Sequence, residues 1–468
     1  MLTYKISKGI NKIKDNYLKV FGILIVVAAI FCFFTMLYGD NLDNSLSGYQ
    51  FLDSLLSGRF IEFYNQFDWS YGVTIYAIYA IWSFPVWLFF RIFKLTGNIN
   101  EYVSVLLWYK LLLVIFFVWS IFLLKKIIKL CYEDTNEILI QYLSSPILFF
   151  VIFYIAQCDI IGICFSLLGI YYYINNKNKL FIVMFAIAST MKFFALIVFI
   201  PLILYKEKRI YKVIEYIFGG ISLVVLTKIL TSFSNKVQIA NSDPNFYVNR
   251  HLSYFSSMGI QISDNMVIGL FGFSFIVLCS IAFCWDFSEK DKVYDRTLWI
   301  ALSGYMCFCL FYPSNFYWNI VVIPFMTLVS FSKKKYLKLN IIFEIIFTIC
   351  TLIIFAYKQF WVFMGESIYS YLLLKDISIY MTQNSIQYIL NHFQSLNITE
   401  NLPILEGFKY SCIFGFLLIN YPDLQQGVRR VSEEDQADII LLTGIKIFII
   451  YLFIAMSFVY LIRSYYFH

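Results

Sequence analysis

Val20-Phe-Gly-Ile-Leu-Ile-Val-Val-Ala-Ala-Ile-Phe-Cys-Phe-Phe-Thr-Met-Leu-Tyr38 runs straight into Gly39-Asp40-Asn41-Leu42-Asp43-Asn44. The first part is an unbroken apolar run of the length a helix needs to cross a bilayer. The second is polar and acidic, and Arg59, Glu62 and Asp68 follow before the next apolar run. Lys5, Lys8, Lys12, Lys14 and Lys19 lie ahead of the run, which carries no small-residue cleavage site. The reading is a retained anchor helix with its basic end in the cytoplasm. A polar loop directly outside a first span suits a reaction at the membrane face better than simple passage of a solute.

Composition fixes the class. Hydrophobic residues make up 60% of the 468 and charged ones 14%, and the apolar residues come in span-length runs. The 51 phenylalanines and 37 tyrosines are more than a core needs and suit lipid interfaces and aromatic-lined cavities. The runs are continuous rather than alternating, which argues for helices and against strands. The expected fold is all-α, a polytopic transmembrane helical bundle. The ten cysteines sit mostly inside apolar runs with no Cys-x-x-Cys pair, and the three histidines, His251, His392 and His468, are scattered. Cysteine therefore reads as a small buried hydrophobe, and three scattered histidines argue against a histidine metal cluster. Nothing in the chain points to nucleic acid.

The runs predict about twelve spans: 20–38, 73–95, 103–124, 138–154, 158–174, 181–204, 211–229, 266–284, 297–312, 316–331, 340–357 and 439–461. Counting from a cytoplasmic N-terminus puts loops 39–72, 230–265 and 358–438 outside. It puts Lys206, Lys208, Arg209, the stretch Asp286–Arg296, Lys333 to Lys335 and Arg463 inside, as basic loops prefer. Lys125, Lys126, Lys129, Lys177 and Lys179 fall on the wrong side. A break of 181–204 near Lys192, or a re-entrant pair over 138–174, would shift that count. Segment 384–394 and Ile413–Leu418 read as short helices at the interface, and 241–245 as a turn. The domain reading is a transmembrane catalytic bundle over 1–357, an extracytoplasmic region over 358–438, and a final helix with a cytoplasmic tail over 439–468. No internal repeat is visible, which weakens a carrier built from inverted halves.

Several polar residues inside apolar surroundings need a reason. Asp159, two residues after Gln157, has apolar sequence on both sides; it is either a helix cap at the interface or a group facing a polar site. Lys192 stands in Ala188-Ser-Thr-Met-Lys-Phe-Phe-Ala195 and either snorkels to the headgroups or holds an anion, a phosphate or a carboxylate such as Asp159. Asp40 and Asp43 either solvate the first loop or supply a general base. The turn Tyr312-Pro-Ser-Asn-Phe-Tyr-Trp-Asn319 offers Tyr312, Asn315, Trp318 and Asn319, which suit a sugar and equally an interfacial aromatic belt. Arg250, His251, Arg429 and Arg430 are candidate phosphate clamps in the outside loops.

In order and context these residues resemble the GT-C superfamily of integral-membrane glycosyltransferases, in its mannosyltransferase-like flavour. The resemblance spans residues 15–335. The family carries its catalytic acid in the first outside loop, where Asp43, or failing that Asp40, stands. A later span opens with Gly-Gln-x-Asp; this chain reads Ala156-Gln157-Cys158-Asp159. A lysine at a polar break before an apolar run ending in proline corresponds to Lys192 and Pro201, and a late polar-aromatic turn to 312–319. Ala156 replaces the usual glycine, the turn lacks a histidine, and Trp69-Ser-Tyr-Gly72 stands where a proline-rich turn is usual.

The resemblance implies inverting transfer of a monosaccharide from a polyprenyl-phosphate carrier to a glycan or lipid-linked acceptor at the extracytoplasmic face. Asp43 would act as base, and Lys192 with Arg250, Arg429 or Arg430 would hold the phosphate. Gln157, Asp159 and the aromatic turn would shape the sugar site. It implies no required cofactor; Mg2+ or Mn2+ held by Asp40 and Asp43 is the alternative that oxygen ligands leave open. The rivals are a surface-polysaccharide polymerase, which shares long outside loops, and a lipid-linked oligosaccharide flippase, which calls for internal symmetry. A composition rich in Ile, Lys, Asn, Tyr and Phe points to an AT-rich, bacterial genome and so to cell-envelope assembly.

Overall fold

The structure, a computed structural model, describes residues 2–34, 40–66, 72–95, 99–130, 136–237, 258–263, 266–312, 315–332, 334–358, 398–423 and 433–466. The chain is a multi-pass, all-α membrane protein. Among the described residues seven helices are long and apolar enough to span: Asn16–Phe33, Val73–Ile92, Val103–Ile128, Ile210–Thr231, Leu337–Phe355, Asn401–Ile419 and Asp435–Ala455. An eighth is reached if Asn136–Leu143 and Pro146–Tyr154, bent by 58°, count as one.

The expectation of twelve is thus corrected: the expected span 297–312 lies in the 22-residue helix Lys290–Phe311, whose charged first half leaves it too polar to count, and for the others helix length gives the reason. A helix rises about 1.5 Å per residue against a hydrocarbon layer of about 30 Å. The expected spans 158–174 and 266–284 are helices Asp159–Ile174 and Leu270–Cys284, of 16 and 15 residues. The expected span 181–204 is two helices, Asn178–Met191 and Ala195–Lys206, broken at Lys192. Expected span 316–331 is a 3₁₀ turn, Phe316–Val321, followed by Ile323–Ser332. One span was not expected at all: Asn401–Ile419 lies inside the stretch read as an outside loop, and it contains the Ile413–Leu418 piece assigned to the interface. Segments 241–245 and 384–394 lie outside the described residues.

The chain divides into two compact units. Unit 2 comprises Asp40–Leu123 and Gln157–Val322. Its helices are α2 (Asp40–Leu56), α3 (Phe60–Gln66), α4 (Val73–Ile92), most of α5 (Ile99–Ile128), α8 (Asp159–Ile174), α9 (Asn178–Met191), α10 (Ala195–Lys206), α11 (Ile210–Thr231), α12 (Leu270–Cys284) and α13 (Lys290–Phe311). The first polar loop is therefore folded. α2 lies on α4, so close that a Cβ at Gly48 would sit 2.3 Å from Tyr79 Cβ. Phe51 anchors it through edge and stacking contacts with Phe60, Phe63, Tyr64 and Tyr76 at 5.2–6.4 Å. Asp53 fixes its far end by accepting from Arg91 and from Trp87 Nε1. α8 packs on α9, and α10 on α12 and α13. Helix α13 is charged at its start and buried all round from Arg296 to Leu310, the pattern of a central helix. A short antiparallel ribbon, Gly259–Ser263 with Met266–Gly269, is the strand structure among the described residues, and the continuous-run argument missed it.

Unit 1 comprises 1–39, 124–156 and 323–468. Within it lie α1 (Leu2–Phe33), α6 (Asn136–Leu143), α7 (Pro146–Phe149) with a π turn over Phe150–Tyr154, α14 (Ile323–Ser332), α15 (Leu337–Lys358), α16 (Ile398–Ile419) and α17 (Glu433–Tyr466). α15 packs against both α16 and α17, and α1 against α17.

Candidate functional site

Unit 2 gathers polar residues from three distant segments. The first is the start of α8. The helix begins at Asp159 itself, with Cys158 as its N-cap residue and no side-chain cap, so Asp159 is not the cap. It stands in the first turn, where a carboxylate opposes the positive end of the helix dipole. α8 is held in place by Tyr305, whose hydroxyl donates to Ser166 Oγ at 3.0 Å, and by Cys164 Sγ on the Phe116 carbonyl at 3.0 Å.

The second segment is the break between α9 and α10. Lys192 ends α9 in an extended conformation, its N–H donating to the Ala188 carbonyl at 3.0 Å. Leaving the helix at this residue turns its side chain toward Asp159. The Nζ–Oδ1 distance is 3.4 Å, with the Asp159 side chain wholly buried and that of Lys192 11% exposed. The ammonium comes from the C-cap residue of one helix and the carboxylate from the first residue of another, so each charge also complements its own helix end.

The third segment is the aromatic turn. Its 3₁₀ form sets the Trp318 ring 5.1 Å and the Tyr317 ring 5.9 Å from Lys192 Nζ, within cation–π range. Phe194 and Phe308 back the indole at 6.0 and 5.6 Å. Tyr312 stacks on Phe308 at 4.8 Å and meets Phe193 at 5.9 Å. Asn315 Nδ2 donates to the Tyr317 hydroxyl at 2.7 Å, and Asn319 and Gln157 are buried.

Of the residues picked out from sequence, Asp159, Lys192 and Trp318 thus converge directly, with Tyr312 joined to them through rings. Asn315 and Asn319 share the turn, and Gln157 lies next to the α8 start. The side chains of Asp40 and Asp43 lie outside the described residues, although the backbone places both in the first turn of α2. Arg250, His251, Arg429 and Arg430 also lie outside them. Ala156 has φ of 56°, in the left-handed region that favours glycine.

Three ionisable groups escaped the sequence reading. Lys110, in Leu106-Leu-Trp-Tyr-Lys110-Leu-Leu-Leu113, is 1% exposed within the span Val103–Ile128. Lys446 and Glu344 form a buried ion pair in unit 1 at 2.9 Å. Each was visible by the signal that exposed Asp159 and Lys192, a charge inside an apolar run. No protein-family model, curated protein or solved structure matches the chain.

Proposed function

We propose that this protein is an integral-membrane glycosyltransferase of the inverting kind, moving a monosaccharide from a polyprenyl-phosphate carrier to a glycan or lipid-linked acceptor. The observation that supports it is the meeting of Lys192, Asp159 and the Trp318 face. A buried ammonium, steered by a carboxylate and walled by aromatic rings and amides, suits a ligand that is part phosphate and part sugar.

In this reading Lys192 faces the donor phosphate and stabilises the charge that grows on it as the bond to the anomeric carbon breaks. Asp159 positions the ammonium. Trp318 and Tyr317 offer flat faces to the sugar, and Asn315, Asn319 and Gln157 offer amides to its hydroxyls. The acceptor oxygen attacks the anomeric carbon from the side opposite the phosphate. Its proton passes to a carboxylate of the α2 start, Asp43 or Asp40, and the carrier leaves as polyprenyl phosphate. Phosphate is a fair leaving group, so a cation suffices and no second catalytic carboxylate is called for.

The test is to incubate purified protein with a panel of polyprenyl-phosphate sugars and measure released polyprenyl phosphate. Lys192→Met lowers the release rate by about 10²-fold or more, the usual effect of losing a charge stabiliser at the leaving group. Asp43→Asn removes the base with expression intact. An unchanged rate in Lys192→Met takes that lysine out of the site, and no release from any donor ends the transferase reading.

A further inference from the structure

Unit 1 buries a second set of charges that glycosyl transfer does not use. Glu344 lies on α15 in the span Leu337–Phe355, and Lys446 on α17 in the span Asp435–Ala455. Lys446 is completely buried, and its Nζ donates to Glu344 Oε2 at 2.9 Å, to the Gln141 carbonyl at 2.8 Å and to Gln141 Oε1 at 3.3 Å. Those three acceptors match the three hydrogens of an ammonium. Gln141 Nε2 in turn donates to Thr443 Oγ1, one turn before Lys446 on α17.

The Gln141 carbonyl, which also accepts from Ser144 Oγ at 3.2 Å, has no backbone partner among the described residues because α6 stops there. Ser145 N–H bonds to the Tyr142 carbonyl at 3.2 Å instead, Pro146 has no N–H to give, and the chain bends by 58° into α7. Lys446 therefore stands at the negative end of a broken membrane helix, where a cation is favoured.

Glu344 is less well served. Its Oε1 is buried and meets no hydrogen-bond donor among the described residues. The same holds for the hydroxyl of Thr348, one turn further along the same face of α15. Asn340, Glu344, Thr348 and Thr351 make a buried polar stripe down this span, and Asn340 exchanges amide hydrogen bonds with Asn420 at 2.8 and 3.1 Å. A carboxylate oxygen can only accept, and leaving it unserved at membrane depth is costly.

We propose that Glu344 is a proton-exchange site within the membrane. A hydronium ion gives its proton to Oε1 and becomes water. The carboxylate becomes a neutral acid whose O–H has the Thr348 hydroxyl as its acceptor. The Lys446 contact weakens from an ion pair to a hydrogen bond, and release to water reverses each change. The ammonium is not stranded meanwhile, since the two Gln141 oxygens and the α6 end hold it without Glu344. A metal cation fits less well, as it would set a second full charge beside an ammonium whose own hydrogens are already placed.

The other titratable groups described on α15 and the elements packed against it include Asp435, at the start of α17. Lys338 pairs with Asp438 and Lys358 with Glu406, both at exposed ends, and Glu137 accepts from Gln436. Lys335 and Tyr336 precede α15; Cys350 lies on it; Lys409, Tyr410 and Cys412 lie on α16, and Tyr451 on α17.

Infrared difference spectroscopy of the full chain in nanodiscs, titrated with acid, tests this directly. Wild type shows a protonated-carboxyl band that Glu344→Gln loses and Glu344→Asp keeps at a shifted midpoint. Lys446→Met moves the midpoint, because the cation beside the carboxylate is gone. Thr348→Val moves it as well, by removing the acceptor. An unchanged titrating band in Glu344→Gln overturns the proposal, and so does a lower melting temperature with no band lost, the result for a mere strut. Should Glu344→Gln fail to fold, the Thr348→Val midpoint decides: a shift supports the site and no shift overturns it.

Discussion

At the scale of single residues the site rests on the Asp159–Lys192 pair. Taking two charges from water is expensive, and removing one partner leaves the other buried with its solvation still missing. Asp159→Asn should destabilise the protein by about 3 kcal/mol, read as a lower melting temperature in detergent. The double variant Asp159→Asn with Lys192→Met should recover much of that loss, since no lone charge remains; an equal or greater loss in the double variant would show that the pair itself holds the helices together. Ala156 gives the opposite sign. Its φ of 56° costs an L side chain about 1 kcal/mol, so Ala156→Gly should raise the melting temperature, or leave it level once the looser unfolded chain is counted. Asp159 and Lys192 were legible because a charge inside an apolar run needs a partner. Their meeting was legible only as one option, since residues 33 positions apart share no period. Lys110, Glu344 and Lys446 sent the same signal inside runs read only for their length as spans. The left-handed turn at Ala156 left no mark on the residue type at all.

At the scale of elements, the placement of Lys192 depends on how α10 seats on α13. A Cβ added at Gly304 would come 2.9 Å from the Ile197 carbonyl oxygen, which is backbone and cannot rotate away. Gly304→Ala should therefore push α10 outward at a cost of about 1–3 kcal/mol. Because α10 starts three residues after Lys192, polyprenyl phosphate release should fall with it, while Gly272→Ala on α12, where a Cβ meets open space, leaves both readings near wild type. The link from α10 to α11 titrates in a definable way. Arg209 donates through Nε and Nη2 to the two carboxylate oxygens of Glu207, both at 2.9 Å, and holds that acid down to about 2 from an ordinary 4.5. A depressed acid contributes stability that is whole above its unfolded value and is lost as pH falls through the folded one. The melting advantage of wild type over Glu207→Gln should thus shrink as pH drops from 4.5 toward about 2, and stay constant above 4.5. Sequence located the break at Lys192 through its polar context, yet it merged 181–204 into one span. Hydropathy records how apolar a stretch is, and the length of unbroken helix depends on tertiary contacts that hydropathy does not see.

At the scale of the whole molecule, the stretch 358–438 separates the two readings of the chain. From sequence it is one long outside loop, because Pro403, Glu406 and Lys409 dilute the apolar run and Gly407 and Gly415 weaken the helical pattern. The structure instead forms α16 there and gives its polar residues partners that the local sequence cannot show. Glu406 pairs with Lys358, Asn420 with Asn340, and a Cβ at Gly415 would come 3.0 Å from the Phe343 ring, so only a bare backbone lets α16 lie this close to α15. Glu406, one of the charges that dilute the run, is also one that fastens it. If Asn401–Ile419 crosses the membrane, its two ends face opposite compartments, and the parity of the last helix changes with it. Single cysteines placed at Asn401 and at Asp423, in a chain whose native cysteines are replaced by serine or alanine, read this out. A membrane-impermeant maleimide applied to sealed vesicles should label one position and spare the other until detergent opens the bilayer. Equal labelling of both before detergent would return 358–438 to one side and take α16 out of the membrane.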